Sequence, residues 1–159
     1  MAIYSITSEQ KLPISLEQAW AFLSSPHNLK TITPPHMAFE ITNNVLPTDT
    51  MFAGQIIVYK LSPLKGYRTE WVTEITQVKA GEYFIDEQRF GPYAMWHHKH
   101  HLTAIPNGVL MHDTIHYKLP FGIIGRIAHA LFVKKQVENI FTYRSQQLES
   151  LFGIYQESK

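Results

Sequence analysis

The feature that most constrains this chain is a series of six strand-like segments in its middle, followed by one long helical pattern. The strand-like segments span residues 38–43, 55–61, 67–78, 83–90, 93–105 and 109–119. Most of them are separated by only a few residues rich in Gly, Pro, Ser and Asn, which are typical of hairpin turns. Strands joined so closely pair in antiparallel order, so the pattern predicts a sheet built from consecutive hairpins.

The segment before this sheet predicts one more strand and two short helices. Apolar and polar residues alternate from residue 2 onward until Pro13, as expected for a strand that ends at the proline. Ser15 then precedes a helical pattern, and Gln18 lies three residues later, which matches a capping box. We expect a short helix that begins at Ser15 and a second helical stretch over residues 27–33.

The C-terminal part predicts the longest element. From Gly122 to about Phe152 apolar residues recur at helical spacing, and a kink is expected after Phe132, where the spacing drifts. Because an antiparallel sheet has one apolar face, a long amphipathic helix is the natural cover for it. We predict a single α+β domain over residues 1–159, with a seven-stranded curved antiparallel sheet wrapped around a long C-terminal helix. Two short helices connect its first and second strands.

The composition favours a small folded domain built around apolar surface. Hydrophobic residues make up 45% of the chain, charged residues 17%, and the formal net charge is +1. Such a charge lacks the phosphate attraction that nucleic acid binding requires, so no nucleic acid partner is expected. Since no apolar run is long enough for a spanning helix, we expect no stable membrane insertion and a cytoplasmic location. The chain has no cysteine, nucleotide-binding loop or G-x-S-x-G motif, and no cofactor is predicted.

Three spaced motifs carry a resemblance to a known group of proteins. Residues 84–88 read Phe-Ile-Asp-Glu-Gln and are followed by Gly-Pro-Tyr at 91–93. Residues 96–100 read Trp-His-His-Lys-His. The third motif, Asp-Thr-Ile-His-Tyr-Lys-Leu-Pro-Phe-Gly at 113–122, leads to Phe-Thr-Tyr-Arg at 141–144.

Together with the order of elements, these motifs resemble the SRPBCC superfamily, which includes the START domains and the birch-pollen allergen. Within this superfamily, the motifs resemble those of a bacterial subgroup similar to polyketide cyclases and dehydrases. The resemblance to this subgroup implies no assigned substrate. It implies the helix-grip fold over essentially the whole chain. Because the superfamily contains carriers, receptors, cyclases and oxygenase subunits, the fold alone implies no reaction.

The register of the last hairpin decides which histidines point inward. If Pro-Asn forms a two-residue turn before Gly, His100 lies opposite Asp113 and Trp96 lies opposite Tyr117. A three-residue loop with a glycine bulge shifts the pairing by one residue and places His101 opposite Asp113 instead. We favour the first register because it gives both strands an aromatic and aliphatic inner face.

On this register the interior combines an apolar wall with a polar stripe, and the leading hypothesis is a carrier or sensor for a small hydrophobic or amphipathic molecule. Aromatic side chains would supply apolar contact, while histidine and aspartate side chains would hold a polar end of the ligand. The candidate ligand-binding residues are Trp71, Phe84, Asp86, Gln88, Trp96, His98, His100, Asp113, Tyr117 and, from the long helix, Arg144.

Two other classes of function stay open at this point. An enzyme resembling cyclases or aromatases would use the His100 and Asp113 pair as a general base. A protein-interaction module would use exposed strands or the apolar segment at 119–125, although packing into the core is the favoured role of that segment. A third interpretation is purely structural: the polar groups satisfy one another beneath the helix, and Arg144 neutralises an acid from above.

The concentration of histidines between residues 97 and 101 also raises the question of a metal site. His98 and His100 share one strand face and would provide two ligands, with Asp113 as a third. The spacing fits a solvated strand surface equally well, so no metal site is predicted.

Overall fold

The computed structural model describes residues 2–46, 50–64 and 66–157. Within these residues seven strands form one antiparallel sheet, in the order β1-β7-β6-β5-β4-β3-β2. The strands are β1 (Tyr4–Leu12), β2 (Glu40–Ile41), β3 (Ile56–Leu64), β4 (Tyr67–Lys79), β5 (Tyr83–Phe90), β6 (Met95–Ile105) and β7 (Gly108–Lys118). Strands β2 to β7 pair with their neighbours in the chain, and β1 pairs with β7. The predicted seven-stranded antiparallel sheet is confirmed.

The first helix forms as the sequence predicts. Helix α1 (Leu16–Leu23) begins after Ser15, whose Oγ accepts a hydrogen bond from the Gln18 amide at 3.2 Å. In return the Ser15 amide donates to Gln18 Oε1 at 3.0 Å, which completes the capping box. The second predicted helical stretch differs, because the chain forms two short 3-10 helices, Pro26–Lys30 and Pro35–Met37.

The C-terminal helical region consists of three parts: α2 (Gly122–Ala128), a π-helical turn (His129–Val133) and α3 (Lys134–Phe152). The turn lies where the apolar spacing drifts, and insertion of an extra residue into a turn is a known cause of helix bending. It lies at the position where the sequence predicts a kink. Helix α3 covers the inner face of the sheet through Val137, Arg144 and Leu148, which are all buried.

The last hairpin adopts the favoured register. Ile105 pairs with Gly108, so the turn contains two residues, and Asn107 takes a positive φ of 59° that asparagine tolerates well. His100 therefore lies opposite Asp113, as the two-residue turn predicts. The alternative pairing of Asp113 with His101 does not occur.

The segment that connects β7 to the long helix is the clearest departure from expectation. Phe121, Ile123, Ile124, Ile127 and Leu131, which we call the apolar lip, are each more than half exposed. Packing of Phe121, Ile123 and Ile124 into the core was therefore the wrong expectation, whereas Leu119 of the predicted segment does pack against a buried cluster.

A glycine explains the orientation of α2. Gly125 is the buried residue of α2, and a Cβ atom at this position would lie 2.1 Å from the Pro120 carbonyl oxygen. The helix thus contacts the protein through a position without a side chain, and its isoleucines are directed outward. No helix among residues 2–46, 50–64 and 66–157 has the length and hydropathy that crossing a bilayer requires.

The packing of α3 on the sheet predicts that two leucines of that helix contribute differently to the free energy of unfolding. Leu148 is fully buried in the main core, whereas Leu151 is 49% exposed. We expect Leu148→Ala to lower the free energy of unfolding by about 2–5 kcal/mol, because it removes buried methyl groups and leaves a cavity. Leu151→Ala, the matched control, changes it by less than about 1 kcal/mol. Urea denaturation measures both, and equal losses would contradict this packing.

Candidate functional site

A cavity of ≈160 Å³ lies between the inner face of the sheet and α3. Its walls are mostly apolar and aromatic. Trp71 and Trp96 contribute from β4 and β6, Met37 contributes from the second 3-10 helix, and Val137 and Ile140 contribute from α3. The curved sheet and the covering helix therefore leave a cavity between them, as the helix-grip arrangement predicts.

Seven of the ten predicted ligand-binding residues line this cavity. They are Trp71, Phe84, Asp86, Trp96, His98, His100 and Arg144. They come from β4, β5, β6 and α3, and they meet because alternate residues of neighbouring strands face the same side of the sheet. The remaining three, Gln88, Asp113 and Tyr117, are not part of the lining.

Gln88 and Tyr117 have other partners. The Gln88 side chain donates to the Tyr93 carbonyl at 2.6 Å and accepts from the Tyr93 amide at 3.1 Å, and so holds the turn between β5 and β6. Tyr117 is fully buried, and its hydroxyl lies 2.9 Å from Nε2 of His129 in the π-helical turn. Neither side chain lines the cavity, because strand alternation predicts the face of a residue but not the partner it finds there.

The polar stripe forms one connected cluster of Asp86, His98, His100, Asp113 and Arg144, which we call the polar cluster. Pairing of β5 with β6 aligns Asp86 with His98, and pairing of β6 with β7 aligns His100 with Asp113. Arg144 reaches the cluster from α3, where its Nη1 lies 3.6 Å from Asp113 Oδ1. Three strands and one helix therefore meet at these five side chains.

His100 lies between the two carboxylates. Its Nε2 is 2.8 Å from Asp86 Oδ2, and its Nδ1 is 2.8 Å from Asp113 Oδ1. Ionised carboxylates only accept hydrogen bonds, so both ring nitrogens of His100 donate in this arrangement. The His100 ring also stacks on Phe84, with ring centroids 4.2 Å apart.

His98 contacts the same two acids less closely. Its Nε2 is 3.2 Å from Asp113 Oδ1 and its Nδ1 is 3.6 Å from Asp86 Oδ2. The centroids of the two imidazole rings lie 3.7 Å apart. Because like charges at this separation repel, the cluster favours protonation of one ring and not of both.

The pKa values in the polar cluster follow from burial opposed by charge. Burial disfavours the imidazolium of His100, but the hydrogen bonds and charges of Asp113 and Asp86 outweigh it and raise the pKa of His100. Burial and the charge of His100 lower the pKa of His98. Burial also opposes ionisation of Asp113, yet Arg144 and His100 hold its pKa well below the usual range. Burial opposes ionisation of Asp86 in the same way, but the hydrogen bond from His100 and the charges of both histidines lower its pKa.

These positions change the interpretation of His100 as a general base. Both of its nitrogens are engaged as donors, and its positive charge is stabilised, so it has no lone pair with which to accept a substrate proton. The pairing of His100 with Asp113 is present, but in this form it is a buried ion pair. Arg144 next to Asp113 is the neutralising contact that the structural interpretation expects.

Apart from Arg144, the side chains that the covering elements contribute to the cavity were not predicted. Val137, Ile140 and Phe141 of α3 line it, as do Met37 and Phe39 from the segment before β2. The spacing of Val137, Phe141 and Arg144 places them on one helix face and was a usable signal. The segment before β2 carries no periodic signal of this kind.

Arg144 connects α3 to the buried acids, which predicts a large cost for removing its charge. We expect Arg144→Met to lower the free energy of unfolding by about 3–5 kcal/mol, because two carboxylates then share less positive charge in a buried site. Arg126→Met, at an exposed position of α2, is the control and changes stability by less than about 0.5 kcal/mol. Chemical denaturation measures both variants. A cost below about 1 kcal/mol for Arg144→Met would contradict the buried pairing.

The fold matches several solved structures. No protein-family model and no curated protein sequence matches the chain. The crystal structure of protein CV1439 from Chromobacterium violaceum superposes with a TM-score of 0.72 at 12% identity, covering 95% of this chain and 99% of that one. Ginseng major latex-like protein 151 from Panax ginseng superposes with a TM-score of 0.67 at 10% identity, and the match covers 94% of this chain and 97% of the ginseng protein. Protein TTHA0849 from Thermus thermophilus superposes with a TM-score of 0.68 at 14% identity, and the match covers 93% of this chain and 99% of the Thermus protein.

At this level of identity the likeness concerns the fold. The chain shares the helix-grip fold of these structures, which is the fold predicted from its order of elements and its motifs. Proteins of this fold serve many functions, so the function of this chain has to be argued from the cavity and the polar cluster.

Proposed function

We propose that this protein is a cytoplasmic binding protein for a compact, mostly apolar molecule, about the size of one substituted aromatic ring, with an oxygen acceptor at one end. The observation that carries the proposal is the internal cavity of ≈160 Å³ with the polar cluster along one wall. An apolar protein cavity of about 150 Å³ is known to accept benzene, which sets the scale of the ligand.

The apolar wall is suited to a planar ring. Trp71 lies at its centre, with ring centroids 5.3 Å from Trp96, 5.5 Å from Tyr93 and 6.0 Å from Tyr59. Such separations are those of edge-to-face and offset aromatic pairs, each of which contributes about 0.5–1.5 kcal/mol beyond area burial. A ligand ring that enters this group gains the same contacts.

The polar end of the cavity is suited to an acceptor. Among the described residues, Nε of Arg144, which belongs to the polar cluster, is a buried donor without a hydrogen-bond partner. A buried donor without a partner costs free energy, and a ligand oxygen that reaches it recovers that cost. Asp86 and His100, which also line the cavity, add a carboxylate and a charged imidazole to the same end.

Small aromatic probes test this function directly. Two of the three tryptophans line the cavity, so tryptophan fluorescence reports on its occupation. We expect phenol to change the fluorescence saturably and to bind more tightly than toluene, because phenol offers an oxygen to the polar end. Equal affinity for the two probes, or no saturation, would contradict the proposal.

Filling the cavity provides the matched control. Val137 is buried and lines the cavity, whereas Gln146 is exposed on the same helix. We expect Val137→Phe to weaken phenol binding by about tenfold or more, because the larger ring occupies the ligand's space. Gln146→Phe leaves the affinity unchanged. Unaltered binding to a folded Val137→Phe variant would place the phenol elsewhere.

A further inference from the structure

Three metal-ligating side chains converge at the polar end of the cavity. One donor atom of each of Asp86, His98 and His100 lies within 4.8 Å of the others. Asp86 Oδ2 is 2.8 Å from His100 Nε2 and 3.6 Å from His98 Nδ1. Donor atoms about 2.0–2.1 Å from a tetrahedral metal ion lie about 3.3 Å from one another, so Asp86 Oδ2 is already near the required distance from each of the two histidine nitrogens.

The opposite nitrogens of both histidines point to one carboxylate. His100 Nδ1 is 2.8 Å and His98 Nε2 is 3.2 Å from the same atom, Asp113 Oδ1. Metal-ligating histidines commonly donate their second N–H to a carboxylate, which fixes the tautomer and strengthens the ligand. Asp113 fixes Nδ1 of His98 and Nε2 of His100 as the donor atoms that face Asp86.

The charge of Arg144 is held on the far side of this arrangement. Its Nη1 is 3.6 Å from Asp113 Oδ1, and its Nη2 is 3.5 Å from His100 Nδ1, the nitrogen that faces away from Asp86. Arg144 therefore balances Asp113, whereas Asp86 pairs with the protonated His100. A divalent cation at Asp86 and His100 displaces the proton from His100 Nε2, because a metal-ligating nitrogen has to be deprotonated. Two neutral histidines and one carboxylate are a common donor set for divalent transition metals.

We propose that Asp86, His98 and His100 bind one divalent transition-metal ion, such as Zn²⁺ or Fe²⁺, with open coordination positions that face the cavity. All three residues line the cavity and Asp113 does not, so the ion lies at the cavity wall. Three protein ligands with an open position are typical of catalytic and not of structural sites. With Asp86, Asp113 and Arg144 the bound ion leaves one net positive charge, which favours an anionic oxygen, such as hydroxide, phenolate or carboxylate, at the open position.

Metal titration of the purified, chelator-treated protein tests the site. We expect isothermal titration with Zn²⁺ to show one ion per chain, and Co²⁺ to give the visible absorption of a four- or five-coordinate site. Asp86→Asn removes the anionic ligand at constant size, and we expect it to weaken Zn²⁺ binding by about a hundredfold. Asp113→Asn weakens it by about 10–100-fold without changing the stoichiometry.

Histidines near the surface require a control, because they offer other metal ligands. His97 pairs with Glu87, and His112 pairs with Glu9. The double variant His97→Gln and His112→Gln keeps one tight ion if the proposal is correct. Loss of the ion in this variant, retention in Asp86→Asn, or no stoichiometric binding by the wild type would each overturn it.

A rise in the melting temperature of the wild type on adding Zn²⁺ checks the site without any variant. Phenol binding is measured separately on the metal-free protein. Failure of the metal site is therefore distinguishable from failure of the proposed ligand-binding function.

A second, independent observation concerns the apolar lip. Phe121 is 80% and Leu131 74% exposed, and three isoleucines of α2 share the same surface segment. Residues 118–137 contain four basic side chains and no aspartate or glutamate, and one of the four, Lys134, lies 3.9 Å from Glu138. An apolar surface flanked by basic residues matches an anionic bilayer surface, whereas two copies of this chain would bring like charges together.

We infer that the apolar lip docks on the surface of anionic membranes, without spanning them. Flotation with phosphatidylcholine vesicles, with and without phosphatidylglycerol, tests this. We expect binding only to the anionic vesicles, an approximately fivefold loss in Arg126→Gln, and a larger loss in Ile124→Asp. Ile154→Asp, at a position 72% exposed outside the lip, is the control and binds as the wild type.

Three results would overturn the membrane inference. They are equal binding to neutral vesicles, unchanged binding of Ile124→Asp, and a dimer in solution that Ile124→Asp dissociates. The last result would assign the lip to a second copy of the chain.

Discussion

The Asp113 carboxylate is the contact on which the rest of the site depends. Its Oδ1 lies within hydrogen-bond or ion-pair distance of His98, His100 and Arg144, which come from β6 and α3. A buried carboxylate without these partners would be costly, so the sheet and the covering helix have to meet in one arrangement. That arrangement fixes the orientation of both histidines and keeps their other nitrogens toward Asp86 and the cavity.

The cavity lies beside the same contact. Arg144 of α3 and the aromatic side chains of β4 and β6 line it together. Leu148, one turn further along α3, packs fully into the main core. One helix therefore closes the core at one end and covers the cavity at the other, which separates the part of the molecule that stabilises the fold from the part that is available for binding.

Much of this architecture could be predicted from residue patterns. The Pro-Asn-Gly turn and the alternation of Trp96, His98 and His100 were enough to fix the register of the last hairpin and the face that carries the histidines. Alternation and turn chemistry are local properties, and the register they set is confirmed. The capping box at Ser15 is local in the same sense.

The differences between expectation and structure concern contacts between elements that are distant in the chain or in neighbouring strands. The Gln88 side chain binds the Tyr93 backbone, and the Tyr117 hydroxyl contacts His129. No local sequence pattern encodes either contact. The apolar lip was expected in the core because its residues are hydrophobic, and only the close approach of Gly125 to Pro120 directs them outward. The role of His100 changed for a similar reason: its second acid, Asp86, lies on a strand whose pairing with β6 could not be derived from turn chemistry.

A crystal structure of the protein with 4-bromophenol, in which anomalous scattering locates the bromine, shows directly whether the cavity binds a ring-sized molecule. We expect a bound molecule inside the cavity, with its oxygen near the side chains of His98 and His100 and its bromine among the aromatic residues around Trp71. A cavity without the molecule, or bromine placed against the histidines with the oxygen among the tryptophans, would contradict the claim that the polar cluster holds the polar end of a ring-sized ligand.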